Sequence, residues 1–213
     1  MTPSRSLAPT IYLVAFISGG VLMGFEMLGS RYLFPYFGGS IGTWASLIST
    51  VLCALAVGYF TGSAMVDRYP SQRAIGAAIL VAACWLALVP ATADAIMQNI
   101  LNHIGDGPAA TLAASTALLL VPLSLLGTFS PIAVSLLTGS AQEAGRETGR
   151  EAGRVAGRVY GVSTIGNVAG TLLTTFFLIP SIGSRNITYI FAVMLAGCAV
   201  LLFVTLAHQP TEV

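Results

Sequence analysis

Charge is what this sequence has least of. Only 8% of its 213 residues are Asp, Glu, Lys or Arg, and all nine basic residues are arginine. Soluble domains carry roughly 25% charged residues, so this chain cannot coat a globule with solvated side chains, and a soluble domain is excluded. The net charge of +1 excludes a nucleic-acid footprint, and high hydrophobicity excludes intrinsic disorder. Cysteine is almost as scarce. Cys53, Cys84 and Cys198 lie within apolar runs, with an odd count and no C-x-x-C, and read as small buried apolar residues rather than a disulfide or metal framework. The two histidines, His103 and His208, are far apart and lack carboxylates at ligand spacing, so no metal site and no cofactor is legible. The alternation of a membrane β-barrel is absent as well.

Apolar length is what the chain has. Hydrophobic residues make up 55% of it and the mean hydropathy is +0.85. A helical crossing needs about 20 apolar residues, and six stretches qualify, at 10–28, 42–66, 74–93, 112–138, 159–179 and 187–207. The first has no small-residue cleavage site and runs straight to Glu26, so it reads as a retained helix rather than a signal peptide. The expected architecture is all-α and polytopic, a single transmembrane domain of about six helices. With six spans, Arg5, Arg68, Arg73, Arg146, Arg150, Arg154 and Arg158 share one side and only Arg31 and Arg185 the other. That bias places both termini in the cytoplasm. Tyr32, Phe34, Tyr36, Phe37 and Trp44 cluster at the first outward turn, where amphipathic rings favour the interface. In Asp94–Ile104, Ile96, Met97, Ile100, Leu101 and Ile104 share a face opposite Asp94, Gln98, Asn99, Asn102 and His103. This pattern suits a short helix lying on the outer surface or one capping the bundle.

Four features carry the functional reading. Glu26 stands near the end of the first span, where an ionisable residue needs a partner, a proton or a cavity. Arg31 is the obvious partner, but five residues turn a helix by about 140°. The pair closes only if Gly29 breaks the helix, or if each residue meets another span, leaving a structural ion pair and a pocket for a cation or proton as alternatives. The second feature is Gly62 to Arg73, with Asp67-Arg68, which resembles the cytoplasmic loop signature of major facilitator transporters. Third, Gly145-Arg146, Gly149-Arg150, Gly153-Arg154 and Gly157-Arg158 form a four-residue repeat accompanied by Glu143, Glu147 and Glu151. Each Gly costs roughly 1 kcal/mol relative to Ala in a helix. The 139–158 stretch is therefore expected to be a Gly/Arg/Glu-rich cytoplasmic loop that orders only against another surface, or a plain linker. Its glycine register continues to Gly161. Fourth, the fifth span places small residues at 163, 166, 170 and 174 on one face, suited to close helix packing. Gly161, Gly166 and Gly170 are candidate packing residues. Asn167, with Ser163 and Thr171, is a candidate polar pocket.

Several of these segments together resemble the membrane-embedded spermidine synthase-like proteins, of the fused transporter/spermidine synthase type. They are Glu26-Met27-Leu28-Gly29-Ser30-Arg31, Pro35-Tyr36-Phe37-Gly38 and Trp44; Ser130-Pro131; and Gly153 to Tyr160 with Thr164, Gly166, Gly170-Thr171, Thr174, Pro180, Gly183 and Arg185. The resemblance implies a bacterial inner-membrane protein, a fold like one half of a major facilitator transporter, and polyamine or other cation chemistry. Two departures stand beside it: Ser135 occupies a place where the family pattern suggests Arg, and the chain ends at Val213 without an aminopropyltransferase-like domain. No catalytic residues can therefore be carried over. The expected function is foremost a non-catalytic membrane module, an anchor or subunit for a protein partner bound through Arg146, Arg150, Arg154 and Arg158. A second expectation is a transporter or binding protein for polyamines or other small cations, working as a dimer, with Glu26, Arg31 and Asn167 at the cation site. A third is a structural accessory subunit of a larger membrane complex. The expected partners are the lipid bilayer with a protein partner or a second copy, and no nucleic acid.

The topology is testable in whole cells. In a cysteine-free background, Asp106→Cys is expected to react with a membrane-impermeant maleimide added outside, and Arg146→Cys only after the membrane is opened. The reverse pattern would invert the orientation.

Overall fold

The computed structural model describes residues 7–68, 72–143 and 149–207. The chain is all-α, with six helices long and apolar enough to span a membrane. These are α1 (Leu7–Phe37), α2 (Ile41–Val66), α3 (Arg73–Ile104), α4 (Pro108–Gly139), α5 (Ala152–Ile182) and α6 (Ser184–Thr205). The first five contain the expected apolar runs and α6 overlaps the sixth, its span ending at Thr205 rather than 207. α1 continues through Gly29 and Pro35, its last turns held by the buried side chains of Tyr32 and Leu33. The amphipathic stretch Asp94–Ile104 is neither a surface-parallel helix nor a separate cap. It forms the last turns of α3, because nothing interrupts its period before Gly105, where φ reaches +93°. A helix of 32 residues is about 48 Å long, more than the roughly 30 Å of a hydrocarbon core. The polar face of α3 thus reaches beyond the depth of lipid tails.

At the end called outer here, in keeping with the arginine distribution, each connection turns on a left-handed glycine. Gly38, Gly105 and Gly183 have φ of +71°, +93° and +76°. Gly38 and Gly105 donate their N–H groups to Phe34 O and Leu101 O, closing the ends of α1 and α3. Ser40 then opens α2 as an N-cap, its Oγ accepting the Thr43 N–H at 3.2 Å.

At the inner end the helix leading into α5 starts at Gly149, so the Gly-Arg repeat is helical from there to Arg158 and is not a loop throughout. The glycine penalty is real, but extending an existing helix needs no new nucleus, and the apolar span supplies the helix. Residues 144–148, including Arg146 and Glu147, lie outside the described residues, as do 69–71 and the side chains of Asp67, Arg68, Glu143, Arg150 and Glu151.

Two helix crossings run backbone against backbone. In the α1/α5 crossing, a Cβ added to Gly166 would strike the Phe16 carbonyl, and one on Gly170 the Gly20 carbonyl. In the α2/α4 crossing, a Cβ on Gly58 would lie 2.8 Å from Gly127 Cα, and one on Gly62 would lie 2.8 Å from Thr128 O. Lipid supplies no hydrophobic drive between helices, so close approach and van der Waals contact must hold them. α3 packs mainly on α6, with α1/α6 and α3/α4 contacts completing the bundle. Exchanging α1 with α4, α2 with α5 and α3 with α6 leaves these principal pairings unchanged.

Two helices contain a π-helical turn, at Thr116–Leu120 in α4 and Thr174–Leu178 in α5. Each is followed after one residue by a proline, Pro122 or Pro180. Proline offers no N–H to the carbonyl four residues back, so the helix widens at that turn. The most apolar 18-residue stretch of α5 is only 11% buried, against 61% in α1 and α4, leaving α5 with the broadest open face.

The crossings predict opposite signs for one substitution at two places on α5. Gly170→Ala is expected to destabilise the protein by about 1–3 kcal/mol through overpacking. Gly161→Ala, where nothing lies within 4 Å of the new methyl, is expected to be neutral or stabilising. Thermal unfolding in detergent measures both.

Candidate functional site

The rotation of α1 decides the fate of Glu26. Counting 3.6 residues per turn, Glu26 shares a face with Gly19, Leu22, Gly29 and Leu33. That face points into the bundle: Gly19 meets Ser163 and Asn167 of α5, while Gly29 meets Leu47 of α2 and Leu119 of α4, each at 3.2 Å from an added Cβ. Glu26 is accordingly 5% exposed, and its Oε2 has no hydrogen-bond partner. Because α1 stays helical through Gly29, Arg31 is carried round to an exposed position. The ion pair found among the described residues is instead Arg185–Asp94, at the outer end. Asp94 also accepts the Tyr36 hydroxyl at 3.1 Å, and Tyr32 donates to Thr188 at 2.9 Å, so α1, α3 and α6 are tied together there. A buried carboxyl with no counter-charge is costly in lipid, and such residues by default mark ion or proton sites.

One turn inward of Glu26 the same face opens on a cavity of about 30 Å³ where α1, α2, α4 and α5 meet. Its polar wall comprises Ser18, Tyr59, Ser130, Ser163 and Asn167, and Leu22 closes the side toward Glu26. The Asn167 Oδ1 is buried without a partner, and would lie 2.8 Å from a Cβ on Gly19, so only glycine allows the amide this position. Tyr59 meets Tyr160 edge-to-face, ring centroids 6.3 Å apart, across the α2/α5 side. The cavity lies toward the inner ends of α1, α2 and α4.

The three residues expected at one cation site therefore occupy three environments. Glu26 is in the core, Asn167 lines the cavity a little over two turns away along α1's register, and Arg31 faces outward. Of the polar pocket around Asn167, Ser163 lines the cavity, whereas Thr171 turns its hydroxyl onto the Asn167 backbone carbonyl at 2.9 Å. Ser18, Tyr59 and Ser130 were not anticipated from sequence. The signal that Ser18 and Ser130 leave is a hydroxyl at a position the α1/α5 and α2/α4 glycine crossings turn inward, whereas Tyr59 is 39% exposed and leaves none. Gly166 and Gly170 sit in the α1/α5 crossing, while Gly161, like Gly153 and Gly157, has nothing within 4 Å of an added Cβ. Arg154 and Arg158 are exposed on the helix leading into α5.

Elsewhere a groove of about 700 Å³ between α3 and α4 is lined by Trp85, Leu88, Val89, Ile96 and Leu118, an apolar surface of the kind lipid tails fill. His103 is exposed and its Nδ1 lies 2.9 Å from the Asn99 carbonyl. Cys53 and Cys84 are exposed on separate helices and Cys198 is buried on a third. Among the described residues no three His, Cys, Asp or Glu side chains gather as a metal site. No protein family, no curated protein and no solved structure matches this chain.

Proposed function

We propose that this chain is a non-catalytic membrane module that binds small cations at Glu26 and carries them across the bilayer, working as a dimer or with a second six-helix unit. The observation that carries the reading is the Glu26 carboxyl, buried inside the bundle with an unpartnered oxygen while Arg31 faces away from it. With α1 unbroken and Arg31 exposed, Glu26 has no basic partner among the described residues, which supports a ligand-binding role over a structural ion pair. The resemblance to spermidine synthase-like membrane proteins supports amines, polyamines among them, as the cation class. Six helices equal half of a twelve-span facilitator, which is why a second unit enters the reading.

A second reading, an anchor or subunit for a protein partner, is favoured by the inner end of α5. There Arg154 and Arg158 are exposed on a regular helix, and Gly153, Gly157 and Gly161 form a seam that no described residue covers. An accessory subunit of a larger complex would use the same surface.

Reconstitution separates the readings. Proteoliposomes containing the protein are expected to take up labelled spermidine or methylammonium, with Glu26→Gln reducing uptake to the level of empty vesicles. No uptake by the parent protein sinks the transport reading. For the anchor reading, extraction in mild detergent is expected to retain a second polypeptide that Arg154→Glu with Arg158→Glu releases, and a chain that always emerges alone counts against it.

A further inference from the structure

The cavity beside Asn167 has a chemistry of its own. Its polar lining residues are Ser18, Tyr59, Ser130, Ser163 and Asn167, which can offer a cation hydroxyl and amide oxygens and no charged group. Ser18 and Ser130 are 4% and 7% exposed, so these are interior hydroxyls and not a wetted surface. The Ser18 hydroxyl donates to the Ala15 carbonyl at 3.3 Å, which leaves its lone pairs free to face the cavity. No nitrogen base or thiol contributes, so a soft metal has no ligands here. No carboxylate lines the cavity either, and divalent calcium or magnesium sites are built on carboxylates. Size excludes larger guests. About 30 Å³ accommodates a water-sized guest or two and is too small for a polyamine.

A neutral oxygen cage deep in a bundle does not by itself retain a charge. The nearest uncompensated charge is Glu26. It shares the inward face of α1 with Ser18, Gly19 and Leu22, about two turns or 10–12 Å along the axis from Ser18 and Gly19 with Leu22 between, and no described basic side chain pairs with it. The bundle thus contains an uncompensated carboxyl and, two turns along the same inward face, a small polar cavity. Each supplies what the other lacks.

We propose that the Ser18–Tyr59–Ser130–Ser163–Asn167 cavity binds one dehydrated monovalent cation of the alkali or ammonium class, with Glu26 as its counter-charge. The site lies at the meeting of α1, α2, α4 and α5, so the ion clamps both glycine crossings and links cation occupancy to helix packing. The proposal narrows the cation-binding reading to small monovalent ions at this cavity, leaving polyamines no place in it, and rests on Glu26 serving that reading; it requires only binding and not transport.

Binding is therefore measured without vesicles, on the purified full-length protein in detergent. Sodium, potassium and ammonium chlorides are compared with choline chloride at constant ionic strength, using the thermal unfolding midpoint and equilibrium binding of radioactive sodium. At least one of the small cations is expected to raise the midpoint saturably, and that ion to bind or to displace sodium with a stoichiometry of one. Asn167→Leu and Ser130→Ala are expected to weaken binding at least about tenfold, and Glu26→Gln to do the same. Thr164→Val, whose hydroxyl bonds its own helix at Tyr160 O and lies off the cavity, is expected to bind like the parent. Ser130→Ala, the smallest change, keeps the test decisive if Asn167→Leu fails to fold. Binding that survives both cavity substitutions overturns the site. Binding that survives Glu26→Gln overturns the counter-charge. Equal midpoints in all four salts overturn the proposal outright and leave a water-filled cavity. Binding without uptake by proteoliposomes would sustain the site while the transport reading fell.

Discussion

The fold depends on backbone meeting backbone at two glycine crossings. In lipid, Leu and Val gain nothing from leaving their surroundings, so helices stay together only where surfaces fit closely or polar groups bond. Gly166 and Gly170 bring α5 onto Phe16 and Gly20 of α1, and Gly58 and Gly62 bring α2 onto Gly127 and Thr128 of α4. These contacts set the rotation of all four helices. Rotation in turn decides which side chains face inward, so Glu26, Ser18, Ser130 and Asn167 are interior because the glycines are where they are. Polar ties such as Thr50 to Ser115 at 2.9 Å supplement the crossings. They do not replace them.

Within that frame, polarity is rationed to a few places. Asp94, Arg185, Tyr36, Tyr32 and Thr188 satisfy one another at the outer end. Along the rest of the bundle, most hydroxyls with bonds return them to their own helix, as Thr61, Thr138 and Thr171 do. Glu26 Oε2 and Asn167 Oδ1 have no such outlet. Glu26 shares its face with Leu22, Gly29 and Leu33, whereas Asn167 opens on the cavity with Ser18, Tyr59, Ser130 and Ser163. A Gln or Leu at 26 would sit in the same environment at lower cost, which is the physical reason for looking to a ligand.

The all-α, six-span architecture was legible because apolar length is a strong and additive signal. The small-residue face at 163, 166, 170 and 174 was legible too, since i+3/i+4 spacing is local. Pairing was not. Nothing in α5 states that its small face meets Gly19, Gly20 and Gly24, so the route from Asn167 to Ser18, Tyr59 and Ser130 was hidden. Glu26 shows the opposite case. Its distance from Arg31 was readable as about 140° of rotation, but whether Gly29 would break the helix was a question for the surrounding packing. Gly29 is wedged between Leu47 and Leu119, and the helix passes straight through. The Gly-Arg repeat misled for a related reason, because propensity weighs a segment alone while this one continues an existing helix.

The outer turns set the mechanics of the bundle. Residues 38–40 join α1 to α2, 105–107 join α3 to α4, and Gly183 alone joins α5 to α6. Three residues reach about 11 Å at full extension, so each pair of helices is tethered at that end, and Asp94 stitches across the pairs. At the inner end residues 69–71 join α2 to α3 just as briefly, whereas α4 and α5 are further apart in the chain. Change in tilt is thereby left to α1 and to the α4/α5 side, and the cavity lies where those helices meet α2.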